Sequence, residues 1–220
     1  MAYREFVSLI HKSTKRDYVA RVTQRDKAEV AELAVKFGYD YWDGSRETGY
    51  GGYRYDGRWR KVADAIVETY GIKPGMRILD VGAGKGFLMH DLMEAVPGVE
   101  VEGIDISDYA IEHAMESVKG KIVHGNANKL PWPDNHFDLV VSITTLHNLF
   151  LPDLFAALGE MERVAKAHKY LVVEGYRNER EKVNLMYWQL TCRSFFMPHE
   201  WDFVFDKAGY TGDHEFIFFE

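Results

Sequence analysis

The segment Ile78-Leu79-Asp80-Val81-Gly82-Ala83-Gly84-Lys85-Gly86 sets a short apolar run directly before a glycine turn, and a second apolar run ends on Asp105, twenty-five positions after Asp80. Such a run, closed by a turn signal, reads as a buried strand. Glycine lets backbone approach a ligand where a side chain would collide, and a strand-end carboxylate can accept hydrogen bonds from a ribose edge. Together they predict a nucleotide-cofactor crevice at the edge of an α/β sheet.

The alternation continues on both sides of this crevice. Between Arg58 and Tyr70 the positions Trp59, Val62, Ala63, Ile66 and Val67 recur near a 3.6-residue period, which predicts a helix covering a sheet. Strands are expected at 76–81, 99–106, 121–124, 137–143 and 170–174, with covering helices after Gly86 and over 109–118 and 153–165. A helix at 201–208 precedes Gly209, and 215–219 reads as a terminal strand with antiparallel direction. The segment 184–196 reads as a lid helix or an inserted packing element. The fold class expected is α/β: a mostly parallel central sheet with helices on both faces.

Length and composition fit one domain. The 220 residues, 46% of them hydrophobic, suffice for one sizeable core. Residues 1–57 are read as an extension of helix and aromatic loop, and 58–220 as the core, with a lid within 176–198. An excess of 34 acidic over 27 basic residues argues against a broad nucleic-acid footprint, so a small molecule is the expected partner and nucleic acid is not. The single Cys192 excludes an internal disulfide framework and a clustered-thiolate metal site. Scattered His11, His124, His136 and His168 form no local metal pattern, and no metal is expected. No apolar stretch approaches eighteen residues, so no membrane span is expected; the setting reads as cytoplasmic and the assembly as monomer or homodimer.

Charge is uneven along the chain. Residues 1–27 hold seven basic and three acidic side chains, and the reading favoured for them is a solvated helix, with attraction of phosphate or carboxylate as the alternative. The stretch from Gly38 to Trp59 mixes glycine with large aromatic side chains, and Tyr50-Gly51-Gly52-Tyr53 reads either as a cover over a ligand or as ordinary packing.

The turn itself discriminates between cofactors. A dinucleotide fingerprint would prefer G-x-G-x-x-G, and a P-loop would need G-K followed by Ser or Thr; Gly82-Ala83-Gly84-Lys85-Gly86 is neither. Taken with Gly103-Ile104-Asp105, Gly125-Asn126-Ala127 before Leu130-Pro131, and Phe137-Asp138-Leu139-Val140, the pattern resembles the class I S-adenosylmethionine-dependent methyltransferase family over roughly residues 58–210. The resemblance implies the Rossmann-like fold of that family and S-adenosylmethionine as cofactor. It also implies that Asp80 positions the methionine end, that Gly82, Ala83, Gly84 and Gly86 let backbone pass close, and that Asp105 receives the ribose hydroxyls with Ile106 beside the adenine. Asn126-Ala127 stands where the family often has an acidic residue followed by a small one; Asn126 keeps a carbonyl for the adenine amino group but lacks the charge. Asp138 is read as organising backbone away from the ligand.

For catalysis, Thr144 to Asn148 follows strand four at the sheet's carboxyl edge, where the family brings cofactor and acceptor together. His147 is the expected general base, with closure of its own loop as the alternative. Glu174 offers a second carboxylate at the same edge. Tyr53 is grouped with the catalytic residues, Tyr50 and Thr144 with the cofactor residues, Trp188 with the acceptor wall, and Arg54 or Arg58 with an anionic group on the acceptor. The leading expectation is methyl transfer to an oxygen or nitrogen of a small-molecule acceptor. The alternatives are an RNA or protein methyltransferase and a noncatalytic cofactor-binding regulatory protein.

Overall fold

Six strands assemble into one sheet: β1 (Arg77–Val81), β2 (Glu100–Asp105), β3 (Ile122–His124), β4 (Phe137–Ile143), β5 (Ala165–Glu174) and β6 (Asp213–Ile217), in the order β3-β2-β1-β4-β5-β6. The computed structural model describes residues 1–12 and 16–220. Every neighbouring pair is parallel, so the carboxyl ends of all six strands lie on one edge. The order reverses between β1 and β4, and a crevice opens at such a reversal because the connections leave in opposite directions.

Alternation along the strands divides the core. Ile78, Leu139, Val141 and Val172 face a layer that includes Val62 and Ile66 of helix Arg60–Tyr70. Leu79, Val140, Leu171 and Val173 face helices Leu151–Val164 and Pro198–Ala208. All these strand positions are fully buried, and each is worth about 1.5–3 kcal/mol in apolar area removed from water. The first covering helix ends at Gly71, whose φ of 61° is the left-handed conformation that stops a helix.

The strands expected from the apolar runs are present within a residue or two, with two differences. Strand β5 begins at Ala165, directly after helix Leu151–Val164, because Ala165 pairs with Phe137 and exposed His168 with Leu139, across a register shift that holds exposed Lys166 and Ala167. Strand β6 runs parallel to β5, in register from Tyr170 opposite Asp213 to Glu174 opposite Ile217, and this corrects the antiparallel expectation. Its direction follows from helix Pro198–Ala208, which lies against helix Leu151–Val164 and returns the chain to the starting end of β5.

The outer side of β6 is closed by the amino terminus. Tyr3 bridges His214, with Arg4 N–H donating to His214 O at 2.9 Å and His214 N–H to Ala2 O at 3.0 Å. The fully buried Glu215 carboxylate accepts from the backbone N–H of Phe6, Val7 and Ser8 and from the Tyr170 and Ser8 hydroxyls. The stretch expected as one helix over 109–118 is a short helix Asp108–Glu112 followed by a 3-10 turn Glu116–Val118. The late apolar segment is a helix at Glu179–Trp188, after which the chain is irregular until Phe196 bridges Gly175. Among the described residues, no helix is long and apolar enough to cross a membrane.

Candidate functional site

At the reversal point lies a cavity of ≈ 250 Å³ floored by the ends of β1, β2 and β4. Gly82 and Gly84 make its floor thin. Gly82 has φ 84°, and a Cβ there would overlap the Thr145 side chain; Gly84 has φ 54°, and a Cβ there would come within 2.8 Å of the Trp42 ring. Gly86 does not line the cavity: it caps helix Phe87–Ala95, and its Cα faces Val118 and Ile122 of the core. The other expected cofactor residues do line it: Tyr50, Asp80, Gly82, Ala83, Gly84, Asp105, Ile106, Asn126, Ala127 and Thr144.

Two carboxyls set its electrostatics. Burial, reinforced by nearby Asp105, pushes Asp80 up to about 7. Burial also raises Asp105, while N–H groups of Ser107 and Gly84 oppose the rise by donating to its two oxygens at 2.8 and 2.7 Å. A charged carboxylate without a cation costs free energy in a dry site, so both groups favour a ligand that brings positive charge or hydroxyl donors. Ile106 is half exposed at the mouth, and Asn126 caps its own loop by accepting the Asn128 N–H at 3.1 Å. Asp138 sits away from the cavity, as expected, accepting from Arg77 N–H and Lys166. Thr144, the residue after β4, has φ 53°, a strained value for a β-branched side chain and a mark of functional segments.

The amino-terminal aromatic segment forms the roof. Trp42 is buried and its indole N–H lies near Phe37 O and Ser107 Oγ, at 3.0 and 2.9 Å. Tyr50 stacks on Trp42, and Tyr53 stacks on Phe87 with centroids 4.7 Å apart. Lys85 of the glycine turn is buried and its ammonium donates to Asp43 at 2.7 Å and to Tyr53 O at 3.0 Å; Tyr109 OH donates to the same Asp43. Neither the Lys85–Asp43 pair nor Trp42 was expected from the sequence, since neither forms part of a local pattern. They join the roof to the turn.

A second cavity of ≈ 420 Å³ adjoins the first, and Tyr41, Tyr50, Tyr53, Trp59, Phe87 and Thr144 line both. Its remaining wall includes Glu174, Gln189, Trp188 and the arginines Arg54 and Arg58 singled out in the sequence. Arg58 is committed to Asp56. Burial pushes the Glu174 carboxyl up to about 8, with Gln189 opposing the rise by donating to Oε1. Oε2 faces His147 Nε2 at 3.4 Å, and His147 Nδ1 accepts from Glu174 N–H at the same distance. His147 itself lines neither cavity and burial pulls it down to about 3, so it is a neutral ring behind Glu174. Its backbone carbonyl accepts from Arg193 N–H and Ser194 N–H, which ties the segment after helix Glu179–Trp188 to the end of β4. Burial raises the Tyr53 phenol well above its ordinary value, so it is neutral.

Among the described residues, His147, Glu174 and Cys192 bring one potential metal donor each within 4.8 Å of one another. Burial raises the Cys192 thiol and the Glu174 carboxyl, so this trio is uncharged at neutral pH.

Residues 72–209 match a family model described as a methyltransferase domain. Over 113 residues the chain is 40% identical to a demethylmenaquinone methyltransferase of Staphylococcus aureus, covering 49% of the chain and 45% of that protein. The chain thus spans about half the length of the curated relatives it matches. Among solved structures, a SAM dependent methyltransferase from Archaeoglobus fulgidus is similar with TM-score 0.54 and 24% identity, over 68% of each chain. One from Aquifex aeolicus has TM-score 0.51 and 23% identity, over 84% of this chain and 88% of that one. At these identities the two structures speak for the fold.

Proposed function

The chain belongs to the class I S-adenosylmethionine-dependent methyltransferase family, and from that premise we propose that it methylates an oxygen or nitrogen of a small-molecule acceptor, with S-adenosylhomocysteine as the other product. The observation that carries this reading is the wall shared by the two cavities at Tyr50, Tyr53 and Thr144. A donor in the first cavity and an acceptor in the second meet there. The relative from Staphylococcus is named for demethylmenaquinone, a small molecule rather than a macromolecule, which supports the same acceptor class.

The residues of the first cavity fit the donor. Bare backbone at Gly82 and Gly84 borders the space beside Asp80 that fits the methionine end; Asp105 stands for the ribose hydroxyls, and half-exposed Ile106 for the adenine face. When bound, S-adenosylmethionine supplies an electrophilic methyl group. The protein's part is then to align the nucleophile, exclude water and take a proton. Tyr50 and Tyr53 form the water-excluding roof, and the neutral Tyr53 phenol orients the acceptor. Glu174, its carboxyl pushed up to about 8 by burial, accepts the acceptor's proton in its ionised form, so transfer should rise with pH towards 8. His147 is a positioning residue that holds the Glu174 carboxyl from behind.

The test is incubation of the full chain with methyl-labelled S-adenosylmethionine and separate metabolite, RNA and protein fractions. Label is expected in the low-mass fraction, and Glu174→Gln should reduce it by about 100-fold, the scale of losing a general base. Label in RNA or protein, or donor binding without transfer to any fraction, would contradict the reading.

A further inference from the structure

The second cavity holds a concentration of positive charge. Arg16, Arg21 and Arg46 each place a guanidinium over the Trp188 ring, 5.4, 5.1 and 5.3 Å from its centroid. Arg21 donates to the carbonyls of Trp188 and Arg46, and Arg46 to those of Tyr50 and Gly49, so backbone oxygens hold these two forks in place. Among the described residues, the ion pairs nearest this wall are Arg58 with Asp56 and Arg25 with Glu47; Arg21, Arg46 and Arg54 enter none. Burial, then repulsion from Arg46, pulls Arg21 below its ordinary value. Each cation over an indole gains only about 0.5–1 kcal/mol, and like charges crowded at one ring oppose one another.

The acidic groups on the same wall do not offset this. Asp56 is committed to Arg58, and Glu174 is largely protonated at neutral pH. An overall net charge of −7 makes the local excess of cations more notable. Planar forks suit oxyanions, and one bidentate guanidinium already satisfies the two oxygens of a carboxylate. Several guanidiniums lining one cavity suit a group with more oxygens and more charge.

We infer that this cavity is an anion subsite and that the methyl acceptor carries a phosphate or diphosphate group seated on Arg21, Arg46 and Arg54, its nucleophilic end reaching the wall at Tyr53 and Thr144. The words "methyl acceptor" rest on the function proposed above; the anion subsite stands on the arginines alone. The cavity volume of ≈ 420 Å³ suits a small phosphorylated molecule.

The test is a calorimetric titration of inorganic pyrophosphate into the full chain saturated with S-adenosylhomocysteine, with chloride at matched ionic strength as reference. Pyrophosphate should bind, and Arg21→Gln and Arg54→Gln should each weaken it about tenfold, the loss of one charge-assisted contact, while S-adenosylhomocysteine affinity stays unchanged. Arg54 is exposed, so its variant folds as the parent does. The inference is overturned if pyrophosphate acts no differently from chloride, if both variants bind it normally, or if it competes with S-adenosylhomocysteine. Equal binding of succinate would overturn the phosphate assignment. Failure of S-adenosylhomocysteine to bind strikes the donor assignment instead, and the pyrophosphate titration still reads the subsite by itself.

Discussion

Asp80 should make donor binding release a proton. Its carboxyl titrates at about 7 in the free protein, raised by burial and by Asp105. The methionine end of the donor carries an ammonium group, which favours the ionised carboxylate. Below pH 7 the bound state must therefore give up a proton that the free state holds. Well below pH 7 each pH unit then costs about 1.4 kcal/mol, so the Kd of S-adenosylhomocysteine should rise about fivefold from pH 7 to pH 6, about tenfold more by pH 5, and level off above pH 8. The same group acts on folding with a defined sign. A raised carboxyl contributes stability that is fully present below its unfolded value near 4 and lost as pH rises through 7; the difference is about 4 kcal/mol for three units. Glu174 acts in the same direction up to about 8, and His147 in the opposite one, its contribution being lost as pH falls from 6.5 towards 3. Asp80→Asn isolates the one group. Calorimetry in buffers of different ionisation heat should count about one proton released per donor bound at pH 6 and almost none at pH 8.5, with no such change in Asp80→Asn. A wild-type count of zero at pH 6, or the same count in the variant, would refute the reasoning.

Three other outcomes follow from the packing. Gly82→Ala drives a methyl group into Thr145 at positive φ and should abolish measurable S-adenosylhomocysteine binding, whereas Gly120→Ala, also at positive φ but facing open space, should cost about 1 kcal/mol in urea unfolding and leave binding intact. Lys85→Met removes the ammonium that joins turn to roof; amide exchange over residues 41–53 should accelerate about tenfold, and unchanged exchange would deny the tie. Glu215→Ala leaves three backbone N–H groups near the amino terminus without their acceptor and should lower unfolding free energy by about 4 kcal/mol; a loss under 1 kcal/mol would show that this edge contributes little.

The glycine turn, Asp80 and Asp105 were legible because strand, turn and strand-end carboxylate are local features with a fixed order. Strands β1 and β4 were legible for a related reason: buried on both faces over most of their length, they read as largely apolar runs. The first half of β5 was not, since Lys166, Ala167 and His168 are exposed and the stretch, with its register shift, leaves no apolar trace. Nor was the direction of β6, which depends on where helix Pro198–Ala208 lands rather than on any residue in the strand. At the site, Asp43 and Lys85 meet across 42 positions. Arg16 and Arg21 lie in a basic stretch that reads as a solvated helix, and only the fold turns them towards Trp188 and Arg46. His147 was singled out by its position after β4, but its burial against Glu174 is a property of the layers packed over it.

The most direct test of the shared-wall account is a crystal structure of the full chain with S-adenosylhomocysteine. The ribose hydroxyls are predicted on Asp105 and the sulfur at the wall of Tyr50, Tyr53 and Thr144, facing the arginine-lined cavity. A sulfur turned away from that cavity, or a ribose without contact to Asp105, would contradict the account.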